Sequence, residues 1–180
     1  SVTFSITGAI VRPLVYDKPW LRAAGEREYE HGAKQGMEEA GIKCSKEEYL
    51  QWFMRNWVGG PLVALQHLVD GALCIPAVLK MGDPRVYSSL ACLVIMNEMG
   101  FEVQDVIKTL YFFTPAEVPS FVLFLTFIHH SLTTCLGLPT MLCYRNLSTL
   151  HWLCFDLQGA AAVSTFIYEY TKILDVTKRG

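Results

Sequence analysis

Four long apolar stretches, separated by short polar segments, constrain the fold of this chain more than any other feature. They cover residues 57–79, 86–113, 119–143 and 147–174. A helix of about 20 residues crosses the ~30 Å hydrocarbon core of a bilayer, and each stretch reaches that length. We therefore expect an all-α fold: a polytopic membrane helical bundle of about four spans.

Charge is distributed unevenly along the chain. The 180 residues are 52% hydrophobic and 18% charged, whereas an ordinary soluble domain carries about 25% charge. Residues 17–55 hold 15 of the 32 charged residues, although they are only about a fifth of the chain. We therefore expect an N-terminal extramembrane and interfacial segment over residues 1–55 and a transmembrane bundle over residues 56–180. The net charge of −2 provides no basic surface and argues against a nucleic-acid partner.

Two local patterns describe the N-terminal segment. Residues 1–16 are too short to span a bilayer and contain Pro13, so we expect irregular or extended structure there. Ser45 with Glu48 three residues later forms a capping box, which predicts the start of a helix. That helix mixes aromatic and basic side chains, a combination typical of the membrane interface. A soluble amphipathic helix packed on a partner is the alternative.

Orientation follows from the basic residues that flank the spans. Short connections, around residues 81–85, 114–118 and 144–146, predict that neighbouring helices are antiparallel. The side that holds both termini then carries Lys43, Lys46, Arg55, Lys108, Lys172, Lys178 and Arg179, and the opposite side carries Lys80, Arg85 and Arg145. Both termini should therefore face the cytosol or an organellar matrix.

Polar and ionisable side chains recur inside the predicted spans. An isolated charge in hydrocarbon costs several kcal/mol, so these groups should turn inward and pair. The predicted polar core, which is also the predicted lipid-binding site, consists of His67, Asp70, Glu98, Asp105, His130 and Asp156. Two other interpretations remain open. The groups form a network that only fixes helix register, or the second span lies near an interface with its acids in water.

A metal site is not expected from the spacing of the histidines. His129 and His130 are adjacent, and adjacent side chains point about 100° apart on a helix, so at most one should face a given site. Neither HxxxH nor HxxE spacing occurs. We therefore predict no metal and no cofactor apart from a bound lipid.

Several motifs in residues 55–170 resemble the TLC-domain superfamily, the membrane proteins that include ceramide synthases. The stretch from His129 to Leu136 fits the HHxxTxxL opening of the family signature. Gly100-Phe101 followed by Asp105 resembles the G-Y-x-x-x-D helix that precedes the double histidine. The earlier N-x-x-S-x-x-H segment and a short polar loop correspond to Asn56, Gln66-His67 and Tyr144-Arg145-Asn146.

The resemblance implies acyl transfer from acyl-CoA to a sphingoid amine, with His129, His130, Asp105 and Asp156 as the candidate catalytic residues. The family's HDxxDxxxE segment, about 27 residues after the double histidine, is incomplete in this chain. Asp156 is retained, but the other three positions are Phe155, Gly159 and Val163. The loss of one member of a catalytic set removes most of the rate.

Two functions follow from the sequence. The first is a non-catalytic, lipid-binding or accessory subunit of a larger membrane complex, with membrane lipids and other membrane subunits as partners. The second is a lipid acyltransferase that uses His129 or His130 with Asp156. A small channel or transporter that uses the acids of the second span is a weaker third hypothesis. The location expected is an organellar inner membrane, such as the mitochondrial one, or the endoplasmic reticulum.

Overall fold

A computed structural model describes residues 2–16, 18–39, 41–112 and 120–174, and within them the regular secondary structure is entirely helical. The all-α prediction is therefore confirmed. The α-helices are α1 (Val2–Val15), α2 (Pro19–Glu28), α3 (Lys34–Glu39), α4 (Lys46–Asn56), α5 (Gly59–Val78), α6 (Pro84–Phe112), α7 (Ser120–Tyr144) and α8 (Ser148–Ile173), with a π-helical turn, Tyr29–Ala33, between α2 and α3.

The four longest helices, α5 to α8, coincide with the four apolar stretches. Their ends differ from the predicted ones by no more than two residues, as at Pro84 against residue 86. Lys80 and Gly82, with φ of 54° and 83°, form the turn between α5 and α6. Some of the predicted features lie outside the described residues: the connection at 114–118, the first residue of the third stretch, Lys178 and Arg179.

One helical stretch in the described part of the chain is long and apolar enough to cross a membrane. It is Lys46–Val78, which includes α4 and α5, and its apolar window has a mean hydropathy of 1.5. Membrane crossing by α6, α7 and α8 stays a prediction.

The expectation of irregular structure in the N-terminal lead is wrong, because residues Val2–Val15 form α1. Pro13 lies in the last turn of this helix. A proline removes one backbone hydrogen bond to the preceding turn. Near the C-terminal end of a helix that loss leaves the earlier turns intact, so the chain before Pro13 remains helical.

The described residues form two compact units, and the division falls within α5 and within α8. One unit, here called the polar-cored unit, comprises Gln66–Ala161. The other, here called the apolar-cored unit, comprises Val2–Leu65 and residues from 162 onward. The end of α8 therefore belongs to the same unit as the N-terminal helices. Arg27 Nη2 donates a hydrogen bond to the carbonyl oxygen of Ile173, at 2.7 Å.

The apolar-cored unit is organised around one cluster of buried apolar side chains. Its buried core consists of Leu21, Ala24, Tyr29, Tyr49, Leu50, Phe53 and Met54. Gly25 on α2 allows the close approach of α4, because a Cβ at this position would lie 2.8 Å from the Phe53 ring. The predicted capping box is present: the Ser45 hydroxyl accepts from the Glu48 amide, and the Glu48 carboxylate accepts from the Ser45 amide.

The polar-cored unit has a small apolar cluster and a tight contact between α6 and α7. Cys74, Val94, Leu150 and Cys154 form the apolar cluster. On α7, a Cβ at Gly137 would lie 3.2 Å from the sulfur of Met99 on α6. The missing side chain lets the two helices pack closely.

Candidate functional site

His67, Glu98 and Gln158 join α5, α6 and α8 within the polar-cored unit. His67 Nδ1 lies 2.6 Å from Gln158 Oε1, and Gln158 Nε2 lies 3.2 Å from Glu98 Oε2. An amide oxygen only accepts hydrogen bonds, so this arrangement has His67 Nδ1 carrying the proton and donating it. The amide of Gln158 then donates to the Glu98 carboxylate. The three side chains form a continuous hydrogen-bonded chain across three helices.

Asp70 and Asn97 form a second link between α5 and α6. The Asn97 amide nitrogen donates to both carboxylate oxygens of Asp70, at 3.0 and 2.8 Å. Asp70 is 2% exposed, so its carboxylate depends on this donor rather than on bulk water. Removal of a donor to a buried charged acceptor leaves the desolvation penalty of that acceptor uncompensated.

A third group, here called the histidine–carboxylate cluster, consists of Glu102 and Asp105 on α6 with His129 and His130 on α7. Nδ1 of His130 contacts Glu102 Oε2, and its Nε2 lies 3.1 Å from Asp105 Oδ2. Nε2 of His129 lies 3.5 Å from Glu102 Oε1. The histidines of α7 thus lie beside carboxylates of α6.

The expectation that only one of the two adjacent histidines faces a given site is wrong. Both imidazoles reach the same carboxylate, that of Glu102. The helical offset separates the directions of the two Cβ atoms, but the Glu102 carboxylate on the facing helix has two oxygens, and each lies beside one of the rings. The rings are 5.4 Å apart between centroids. Glu102 and His130 are buried, whereas the side chain of His129 is 72% exposed.

Of the predicted polar core, the structure brings His67 together with Glu98 and His130 together with Asp105, and it places Asp156 elsewhere. Asp156 is exposed on α8. Its position in the helix explains this, because two residues correspond to about 200° of rotation, and Gln158 occupies the buried face instead. The predicted meeting of Asp156 with the double histidine is therefore not found.

Sequence reasoning left Glu102, Gln158 and Asn97 out of the predicted site, although all three take part in it. Glu102 follows Glu98 by four residues and precedes Asp105 by three, so helical spacing already places the three acids along one side of α6. The amides gave a weaker signal, because a neutral polar residue in an apolar stretch has no preferred partner.

A pocket of about 320 Å³ lies in the apolar-cored unit, between the π-helical turn and the end of α8. Arg27, Glu28, His31, Tyr168, Thr171, Lys172 and Leu174 line it. Burial, together with the nearby carboxylate of Glu169, raises the pKa of Glu28, and the ammonium of Lys172 opposes this. The pocket thus combines basic side chains with an aromatic ring and an aliphatic side chain.

The outer faces of α5 to α8 within the polar-cored unit carry large apolar side chains. They include Leu68, Val69, Leu93, Met96, Phe124, Phe127, Leu132, Leu136, Leu142, Leu153 and Leu157, each about half exposed or more. Single exposed apolar residues are ordinary on a protein surface, but a contiguous set on long helices indicates a surface that meets lipid or other proteins.

No protein-family model, no curated protein and no solved structure matches this chain.

Proposed function

We propose that the chain is a non-catalytic integral membrane protein, a lipid-binding or accessory subunit of a larger membrane complex, with α5 to α8 as its four spans. The observation that carries the proposal is the inverted distribution of side chains in the polar-cored unit. Buried positions hold imidazoles, carboxylates and amides beside a small apolar cluster, and many outer positions hold leucine and phenylalanine. This arrangement suits hydrocarbon, because a bilayer solvates apolar side chains and leaves polar ones to pair with each other.

Mutual pairing of the buried polar groups supports a structural role. His67, Gln158 and Glu98 satisfy one another, as do Asp70 and Asn97. An acyltransferase would need a histidine base that faces a substrate cavity together with the other catalytic groups. The exposed position of Asp156, away from His130, argues against the acyl-transfer mechanism of a TLC-domain enzyme.

Asp156 supports the assignment as a subunit of a complex. Its carboxylate is exposed on α8, between Leu153 and Leu157, which are 54% and 60% exposed. A carboxylate that faces lipid from a spanning helix costs several kcal/mol, unless a basic group or hydrogen-bond donor covers it. A neighbouring membrane subunit that supplies such a group would remove this cost, and the apolar side chains around Asp156 would pack against it.

The pocket at the end of α8 supports lipid binding. Arg27, His31 and Lys172 suit an anionic phospholipid head group, and Tyr168 and Leu174 suit the first part of an acyl chain. We place this pocket at the membrane interface on the side of both termini. The membrane is that of an organelle, such as the mitochondrial inner membrane, or the endoplasmic reticulum, and both termini face the matrix or the cytosol.

Affinity purification of the tagged chain from its own membranes in a mild detergent tests the proposal. We expect other membrane proteins in fixed stoichiometry, and we expect the Asp156→Lys variant to lose them. Recovery of the chain alone, together with acyl transfer from acyl-CoA to a sphingoid amine that the His130→Ala variant lacks, would favour the enzyme. Native mass spectrometry of the same sample identifies bound phospholipid, and Lys172→Ala should reduce it.

A further inference from the structure

The histidine–carboxylate cluster brings three metal-binding side chains from two helices into one place. One ligand atom each from Glu102, His129 and His130 lies within 4.8 Å of the other two. Two imidazoles and one carboxylate form a ligand set that Zn²⁺ uses where it keeps a fourth position for water. With bonds of 2.0–2.1 Å, tetrahedral ligand atoms lie about 3.3 Å apart. The 3.5 Å between His129 Nε2 and Glu102 Oε1 is already close to that spacing.

The two ring nitrogens of His130 both face carboxylates. Nδ1 faces Glu102 and Nε2 faces Asp105. A doubly protonated ring would donate to both, whereas a neutral ring has one N–H and would point one lone pair at an anion. A Zn²⁺ ion bound by Nδ1 and the Glu102 carboxylate would use that lone pair as a ligand. The N–H at Nε2 would then donate to Asp105, 3.1 Å away.

Asp105 lies next to the ring nitrogen of His130 that would not bind the metal. Histidines that bind metals usually donate the other ring N–H to a carboxylate, which fixes the tautomer and the ring orientation. The same geometry explains why two acids lie together on α6, one turn apart. Glu102 would bind the ion directly, and Asp105 would orient the ring of His130.

We propose that Glu102, His129 and His130 bind one Zn²⁺ ion that bridges α6 and α7, with Asp105 as the positioning residue for His130. The fourth ligand is a water molecule. The ion neutralises carboxylates that would otherwise lie in an apolar surrounding. This site goes beyond the proposed function, because a subunit of a membrane complex can hold it or lack it.

Zinc binding is measured on the full-length chain in detergent, after incubation with Zn²⁺ and removal of unbound metal. We expect one zinc per chain by elemental analysis. The free cysteines are a competing source of ligands, and Cys135 and Cys143 are exposed. Alkylation of the thiols before incubation removes this competition. Co²⁺ in place of Zn²⁺ provides a second readout, since nitrogen and oxygen ligands give visible absorption without the near-ultraviolet band of a sulfur-bound ion.

Three variants separate the metal site from a structural network. His129→Ala removes a ligand whose ring is mostly exposed, so it should leave the fold intact and weaken Zn²⁺ binding by roughly a hundredfold or more. Asp105→Asn retains the shape of the positioning residue and should weaken binding by roughly tenfold to a hundredfold. Glu38→Ala removes an exposed carboxylate from α3, outside both the proposed metal site and the pocket, and should leave the affinity unchanged.

The proposal is overturned if the alkylated chain retains no zinc, or if its affinity is the same in wild type and His129→Ala. A Co²⁺ spectrum with the band of a sulfur-bound ion would also overturn it, because the ion would then sit on cysteine. Circular dichroism of each variant shows whether it has folded. If Asp105→Asn does not fold, His129→Ala and its Glu38→Ala control still decide the outcome.

Discussion

The two units of this chain place the same kinds of side chain in opposite surroundings. In the apolar-cored unit, Leu50 and Met54 are 1% and 2% exposed. Charged side chains of that unit meet at its surface, as where Arg22 Nη2 lies 2.6 Å from Glu47 Oε2. Water solvates such ions well, so the pairs contribute little, and burial of leucine and aromatic side chains provides most of the stability.

The polar-cored unit buries ionisable side chains beside its small apolar cluster and exposes large apolar ones. Asp70 and Glu102 are 2% and 3% exposed, whereas Leu136 is 64% exposed. If lipid surrounds this unit, the outer leucines gain nothing by moving inward, because hydrocarbon is as apolar as a protein interior. Packing and hydrogen bonds between polar groups must then hold the helices together. On the proposed four-span arrangement, the comparison means that one chain uses two solvents, each with its own set of stabilising interactions.

The largest difference should appear when one leucine is truncated in each unit. Leu50→Ala removes a buried side chain from the apolar core and should lower the free energy of unfolding by about 2–5 kcal/mol. Leu68→Ala acts on a residue that is 62% exposed in the polar-cored unit, where lipid or detergent fills the space, and should cost less than about 1 kcal/mol. Thermal unfolding of the purified chain in detergent measures both. Equal costs at the two positions would contradict the comparison.

A charge on the outer face of α7 tests whether that face meets lipid. Leu132→Arg should cost about 2.5–3.5 kcal/mol of membrane insertion if the residue lies near the bilayer centre. Trp52, similarly exposed on α4, provides the matched control. Trp52→Arg should cost about 1 kcal/mol or less, because arginine is tolerated where water and head groups meet. Resistance of the full-length chain to alkaline extraction from membranes measures both effects. Full retention of Leu132→Arg would indicate an aqueous or protein-covered surface there.

Loss of a buried amide should disturb the polar core. Gln158→Leu leaves His67 and Glu98 without their shared partner and should cost about 1–3 kcal/mol. Asp156→Asn changes an exposed residue two positions away on the same helix and should change the stability of the isolated chain by less than about 0.5 kcal/mol. Unfolding of both variants in detergent measures the difference. If Gln158→Leu leaves the stability unchanged, the hydrogen bonds among His67, Gln158 and Glu98 contribute no stability.

Sequence reasoning predicted the helices better than their side-chain partners. Hydrophobic stretches and the capping box at Ser45 predicted α4 to α8 because each signal is local and needs no knowledge of the rest of the fold. The same rules failed at α1, where Pro13 was taken as a barrier although it lies in the final turn. Whether a proline breaks a helix depends on its position within that helix. This position is known only once the ends of the helix are known.

The partners of the polar residues depend on helix rotation, which the sequence leaves open. Asp156 and Gln158 lie on opposite sides of α8, and only packing against α5 decides which of them is buried. Family resemblance drew attention to Asp156, and the geometry placed Gln158 beside His67 instead. A helical wheel places His129 and His130 on different faces because it shows only the directions of the side chains on one helix. It does not show that a glutamate on the facing helix can contact both. Contacts between helices therefore had to come from the structure.

The smallest effect concerns Glu28, a partly buried carboxyl of the apolar-cored unit, and it should appear as a change of stability with pH. Burial raises the pKa of Glu28 above its ordinary value of 4.5, so the folded chain holds this proton more tightly than the unfolded chain does. Stability should therefore fall as the pH rises from 4.5 through the folded-state pKa, and Glu28→Gln should remove that part of the fall. Glu38→Gln, an exposed change on α3, serves as the control. Thermal unfolding of the three proteins across this pH range measures the effect. If the stability of Glu28→Gln changes with pH in parallel with that of the wild type, the assignment to Glu28 is wrong. We expect instead that the wild type and Glu28→Gln have similar stability at low pH and differ above it. That difference is the free-energy cost of burying an ionised carboxylate beside an apolar core.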